Sequence, residues 1–286
     1  MDEEKYSWGF PLWHAASYAE YEMAEILIAA GADVNAMVYA SGPPMERAYA
    51  ARDEKMKALL RQHGAFISVE TIGFNRDVEA AREVIEGRAP AYTDRTETTP
   101  MEQLLGTAAC GGDPEIVGMC LPHIDRAPTD PWWSDILQQP LRIWNHGPNR
   151  ATLEFDRSTY ARCLELLLDH GVDPNVTDHH GYTALHNLAH GSCSRPRTMN
   201  EQEALEFGRL LLDGGADLTL RDPLLQSTPL GWACRNGRRA LVELMIERGA
   251  AVNEPDAEEW ATPLAWATKM GHEEIAALLR NRGAQV

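Results

Sequence analysis

The chain has 286 residues, 44% of them hydrophobic, which is enough for a large core or for one long array of small units. Its net charge of −17 argues against nucleic acid or an anionic membrane as partner, since both are held by cationic side chains, and favours a basic protein surface instead. No apolar run approaches the ~20 residues that cross a bilayer, the acidic start MDEEKYSWGF lacks the apolar stretch of a secretory signal, and the five cysteines show no C-x-x-C spacing, so a cytoplasmic chain with reduced thiols is expected.

Taken in chain order, the sequence keeps returning to one pattern. Phe10 to Asn35 reads FPLWHAASYAEYEMAEILIAAGADVN, and Pro43 to Ser68 reads PPMERAYAARDEKMKALLRQHGAFIS. Val69 to Gly87 keeps a helix pair without a Thr-Pro entry, and Leu105 to Ile124, LGTAACGGDPEIVGMCLPHI, is a fairer copy. From Pro131 to Asn175 the first helix and the linker are aberrant, while the second half, YARCLELLLDHGVDPN, is regular. The next copy runs from GYTALHNLAHG at Gly181 to LLLDGGADLTLRD at Leu210 to Asp222, with a polar insertion at 192–200 between its helices. The last two, from Ser227 and from Ala261, match each other at an offset of 34 at Thr228, Pro229, Leu230, Trp232, Ala233, Gly237, Leu244 and Gly249.

Each copy has readable physics. In TPLGWACRNG, Thr228 is placed to cap a helix and Pro229 to preset its first φ. Leu230, Ala233 and Cys234 form an i, i+3, i+4 stripe, and Gly237 lets the chain reverse. Leu241, Leu244 and Met245 make a second apolar face, which Gly249 ends in the left-handed region. A projecting loop follows. One such unit cannot bury both stripes, so copies must stack.

The T-P-L…G…L-L…G-A-D-x-N grammar resembles the ankyrin repeat. The resemblance implies an all-α, helix-turn-helix solenoid with short projecting β-hairpin loops, covering nearly the whole chain as one domain. The eight repeats are expected near 5–36, 37–68, 69–97, 98–127, 128–177, 178–222, 223–257 and 258–286. It further implies non-catalytic binding of a protein partner on the concave face lined by the projecting loops and first helices. Carried onto this chain, the contact candidates are Tyr39, Trp132, Trp133, His179, His180, Tyr182 and Trp260, with Asp256 and Glu258 setting a preference for basic groups. Glu254 and Glu259 belong to the same acidic loop, NEPDAEEWA. Trp144 is assigned to filling the irregular fifth unit.

Other chemistry is weakly signalled. Arg195 and Arg197 flank a proline in the insertion and could clamp an anion. His186, His190 and Cys193 have zinc-like spacing, but His186 is the histidine of T-x-L-H, which the resemblance assigns to hydrogen bonds between neighbouring repeats. Asp178-His179-His180 could be read as an acid/base pair, yet no nucleophile motif or glycine-rich phosphate cradle accompanies it. The competing reading is therefore an enzyme or a small-ligand or metal receptor built on the Asp178–His190 region and the Arg195/Arg197 loop; no cofactor, catalytic residue or metal ligand is assigned. The polar face of HEEIAALLRNRG in the last unit favours a monomer. Where the family has histidine, the last two units carry Gly231 and Ala265, each followed by a tryptophan, and Trp232 and Trp266 either brace the stack or line its inner face.

Overall fold

The computed structural model describes residues 10–38, 41–90, 92–93, 97–142, 158–191, 199–254 and 256–285. Within these residues the fold is all-helical: sixteen α-helices, two 3₁₀ turns and no strand, apart from one isolated bridge between Ser68 and Tyr92. Two compact units are formed, one from the described residues up to Gly111, the other from Gly112 onward.

In the first unit the helices are α1 (Phe10–Ser17), α2 (Tyr21–Ala29), α3 (Pro44–Ala51), α4 (Glu54–Gln62), α5 (Val69–Asn75), α6 (Val78–Ile85) and α7 (Pro100–Gly111). The odd-numbered ones pack in a row, and each except α7 also packs on the helix that follows it. Asp53 and Asp77 cap α4 and α6 through Met56 N and Ala80 N. The same carboxylates accept hydrogen bonds from Tyr21 Oη at 2.9 Å and Tyr49 Oη at 2.6 Å, tying each unit to the next. The entry to α7 is a Thr-Pro element: Thr99 Oγ1 accepts Glu102 N, and Glu102 Oε2 accepts Thr99 N at 2.7 Å. Helices α5 and α7 approach so closely that a Cβ at Gly73 would lie 2.2 Å from Thr107 Oγ1 and 2.7 Å from Ala108 N.

The second unit holds α8 (Pro114–Cys120), α9 (Trp133–Arg142), α10 (Ser158–Asp169), α11 (Ala184–His190), α12 (Glu201–Asp213), α13 (Pro229–Arg235), α14 (Arg239–Glu247), α15 (Pro263–Lys269) and α16 (Glu273–Asn281). Helices α9, α11, α13 and α15 make one row, and α8, α10, α12, α14 and α16 a second. Thr183, Thr228 and Thr262 cap α11, α13 and α15. The core between the rows contains Leu137, Leu164, Phe207, Leu211, Leu241, Met245 and Leu279. Cys234 is buried on its apolar stripe, and Cys110 and Cys163 are buried as well. Pro140 does not divide α9, which continues through it for two residues.

The signature glycines Gly31, Gly64, Gly171, Gly215, Gly249 and Gly283 all adopt φ between 81° and 96°, the left-handed region that ends each second helix. The loops that follow close as hydrogen-bonded turns rather than as paired strands. Asp178 N bonds Tyr182 O, and Asp222 N bonds Ser227 O. Between neighbouring repeats, the asparagine of G-A-D-x-N acts as a clasp. Asn35 Nδ2 donates to Gly64 O and its Oδ1 accepts Phe66 N; Asn175 does the same with Gly215 O and Asp217 N, and Asn253 with Gly283 O and Gln285 N.

Candidate binding surface

The projecting loops of the second unit are shaped by carboxylates. Asp178 Oδ1 accepts His180 N and Tyr182 N at 2.9 and 3.0 Å, while Oδ2 accepts Asn187 Nδ2 at 3.1 Å and Gln138 Nε2 at 3.4 Å. Burial opposes its ionised form, but these donors prevail and hold its carboxyl below the usual range. Asp222 repeats the arrangement one unit on, accepting Leu224 N, Leu225 N and Ser227 N, and Trp232 Nε1 at 2.9 Å. Both carboxylates are occupied in holding turns, which leaves Asp178 unsuited to act as a base toward the neighbouring histidines.

What the loops expose is largely aromatic or apolar. His179 and His180 are exposed with ring centroids 3.8 Å apart. Trp260 is 49% exposed and meets Trp266 edge-on at 5.8 Å. Asp256 and Glu258 are exposed beside it. Trp132 is half-buried, with the Arg126 guanidinium 4.6 Å from its ring. Leu224, 72% exposed at the tip of the seventh loop, was not among the sequence candidates, although its place in Pro223-Leu224-Leu225, between the Asp222 turn and Thr228, marks it as a loop-tip residue.

Two expectations need correction, and a third candidate, Tyr182, is partly covered as Trp132 is. Trp133 is 1% exposed; it opens α9, donates Nε1 to Ala127 O at 3.1 Å and belongs to the core rather than to a contact surface. Tyr182 is half-buried, its ring packed against His190, Trp232 and His186. Glu254 is not part of an exposed acidic tip: it is 7% exposed, ion-paired to Arg221 at 2.8 Å and bonded by Thr228 Oγ1 at 2.7 Å. Tyr39, Trp144, Cys193, Arg195 and Arg197 lie outside the described residues.

The histidines with zinc-like spacing have other work. His186 is fully buried, with Nδ1 2.8 Å from Thr183 Oγ1 and Nε2 3.3 Å from Ser227 O of the next repeat. Burial lowers its pKa, and Ser227 O opposes that shift. Nδ1 is thus engaged with the cap of its own helix, and Nε2 joins two repeats. His190 packs edge-on against Trp232 at 4.5 Å, and burial followed by the Arg235 charge lowers its pKa. Gly231 and Ala265 cannot make the histidine's bond. Between the last two repeats His272 Nε2 lies 3.1 Å from Arg235 O, and within the seventh Thr228 Oγ1 donates to Glu254.

Trp232 and Trp266 are 3% and 4% exposed and brace the stack. The Arg235 guanidinium lies between them, 5.0 Å from one ring and 4.6 Å from the other, and Lys269 Nζ lies 5.2 Å from the Trp266 ring. Ankyrin repeats in three copies match residues 198–286, and a single ankyrin repeat matches residues 10–37. No match is found among curated proteins. The chain thus carries ankyrin repeats at residues 10–37 and 198–286, with helices through the described residues between them.

Proposed function

We propose that the chain is a non-catalytic module that binds a protein partner on the concave face, through the projecting loops of its second unit and the first helices beside them. Ankyrin repeats are in general protein–protein interaction modules. The observation that carries the reading is that successive loops present an aromatic or apolar tip: Trp132, the His179–His180 pair, Leu224 and Trp260. Each tip stands on a turn fixed by internal hydrogen bonds, so little ordering entropy is lost on association. Asp256 and Glu258 at the rim favour basic groups on the partner. No described helix is long and apolar enough to cross a membrane. We place the chain in the cytoplasm as a monomer, bound to neither nucleic acid nor membrane.

The test is partner capture from cell extract with wild type and with a Trp132→Ala, Leu224→Ala, Trp260→Ala triple variant. Loss of a specific partner, with the circular dichroism spectrum retained, is expected. Equal recovery by the folded variant would remove the loop tips from the binding surface.

A further inference from the structure

His190, Arg235 and Lys269 end three successive first helices, α11, α13 and α15, at one register. They alternate with the indoles in a ladder: His190, Trp232, Arg235, Trp266, Lys269, with separations of 4.5, 5.0, 4.6 and 5.2 Å. In a chain of net charge −17, cations are expected to find carboxylates. Arg88, Arg162, Arg239 and Arg248 do, while Arg47 and Lys55 lie over the rings of Trp13 and Tyr21. Among the described residues Arg235 and Lys269 have no carboxylate within ion-pair distance, and their guanidinium and ammonium groups lie against the rings of Trp232 and Trp266. An indole face holds a guanidinium by its plane and leaves its N–H edge free.

We propose that this row receives an acidic peptide segment in extended conformation, with two carboxylates three residues apart. The proposal rests on the protein-binding reading above and specifies the chemistry of the partner. The spacing follows from geometry: packed helices stand roughly 8–10 Å apart, and an extended segment of polyproline II type, with three residues per turn and a rise of ~3.1 Å per residue, puts the side chains at i and i+3 on one face about 9 Å apart, so that they meet cations one helix apart. Arg235 takes one carboxylate bidentately and Lys269 the other as a point charge. His190, its pKa lowered by burial and then by Arg235, contributes a ring. Trp260, edge-on to Trp266, offers an aromatic anchor beside the pair. Asp256 and Glu258 repel further acidic residues, so the positions flanking the two carboxylates are neutral or basic. A nucleic acid, with a charge on every phosphate, meets only two cations and this acidic rim.

The experiment is fluorescence polarisation of the full chain with labelled glycine–serine peptides carrying two glutamates three residues apart, two adjacent glutamates, or two lysines three residues apart, together with oligothymidylate. The spaced-glutamate peptide is expected to bind best, to weaken as salt rises, and to lose about tenfold in affinity with Arg235→Gln or Lys269→Gln, a loss of about 1.4 kcal/mol; Arg235→Lys is expected to recover part of it. Should Arg235→Gln fail to fold, Lys269→Gln decides. Equal binding of the glutamate and lysine peptides, tighter binding of oligothymidylate, or unchanged affinity in the folded variants would overturn the proposal. Partner capture separates the two readings. If the loop-tip variant loses the partner while Arg235→Gln/Lys269→Gln retains it, the row is not the acidic site but the binding surface stands; if both retain it, the binding surface itself fails.

Discussion

Trp232 and Trp266 occupy one register in adjacent repeats, yet their indole nitrogens differ. Trp232 Nε1 donates to the fully buried Asp222, whereas Trp266 Nε1 is buried with no acceptor among the described residues. Asp256, which stands where Asp222 does one repeat earlier, is exposed. Replacing each indole by phenylalanine removes similar packing, but only at Trp232 does it break a hydrogen bond and deprive a buried carboxylate of a donor. Trp232→Phe should therefore cost about 1–3 kcal/mol more than Trp266→Phe, read as the difference in urea unfolding free energies. Equal costs would mean that the Asp222 bond contributes nothing net. The same scale shows why the candidate site was only partly legible. Trp132 and Trp133 look alike in a sequence, and the fate of each is set by a helix start one residue away. Asp130-Pro131 was the available signal: Asp130 O accepts Trp133 N and Asp130 Oδ1 accepts Trp132 N, which turns one indole inward and leaves the other half outside.

At the scale of the element, the repeat grammar was legible because it reports local backbone needs. Thr-Pro entries, reversing glycines and left-handed helix ends recur wherever the pattern does, and they fold as the spacing suggests. What the pattern does not report is side-chain traffic between repeats, since that depends on two units at once; the Asn clasp and the Arg235 ladder are examples. The clasp allows a prediction. Thr219 holds the clasp position of its loop, but its hydroxyl bonds Asp217 Oδ1 in the same loop instead of reaching the next repeat. By register with Asn175 and Asn253, an asparagine there would face Gly249 O and Ala251 N. Thr219→Asn is expected to stabilise by about 0.5–1 kcal/mol, and Asn253→Ala to destabilise by a similar amount, since these are exposed bonds. Thermal melts of both variants check this, and a destabilised Thr219→Asn would show that the neighbouring backbone cannot be reached from that loop.

For the whole molecule, charge and burial make opposite demands as pH falls. Acidification reduces the self-repulsion of a chain carrying −17, which favours the compact state. His186 works against it. Its folded pKa is lowered, mainly by burial, from an ordinary value of about 6.5. The unfolded chain therefore takes up a proton near that pH while the folded chain resists it. The contribution of His186 is complete above about pH 6.5 and is lost as pH falls toward the folded value, at no more than about 1.4 kcal/mol per pH unit. Glu46 and Glu254, raised by burial, act in the opposite sense, but they are common to wild type and variant. The difference in melting temperature between wild type and His186→Gln isolates the histidine. That difference should be largest near pH 7.5 and should shrink by pH 5.5, because only wild type carries the buried imidazole. Parallel melting curves across this range would mean that the imidazole, with Thr183 and Ser227 O on either side, accepts a proton in the folded chain as readily as in the unfolded one.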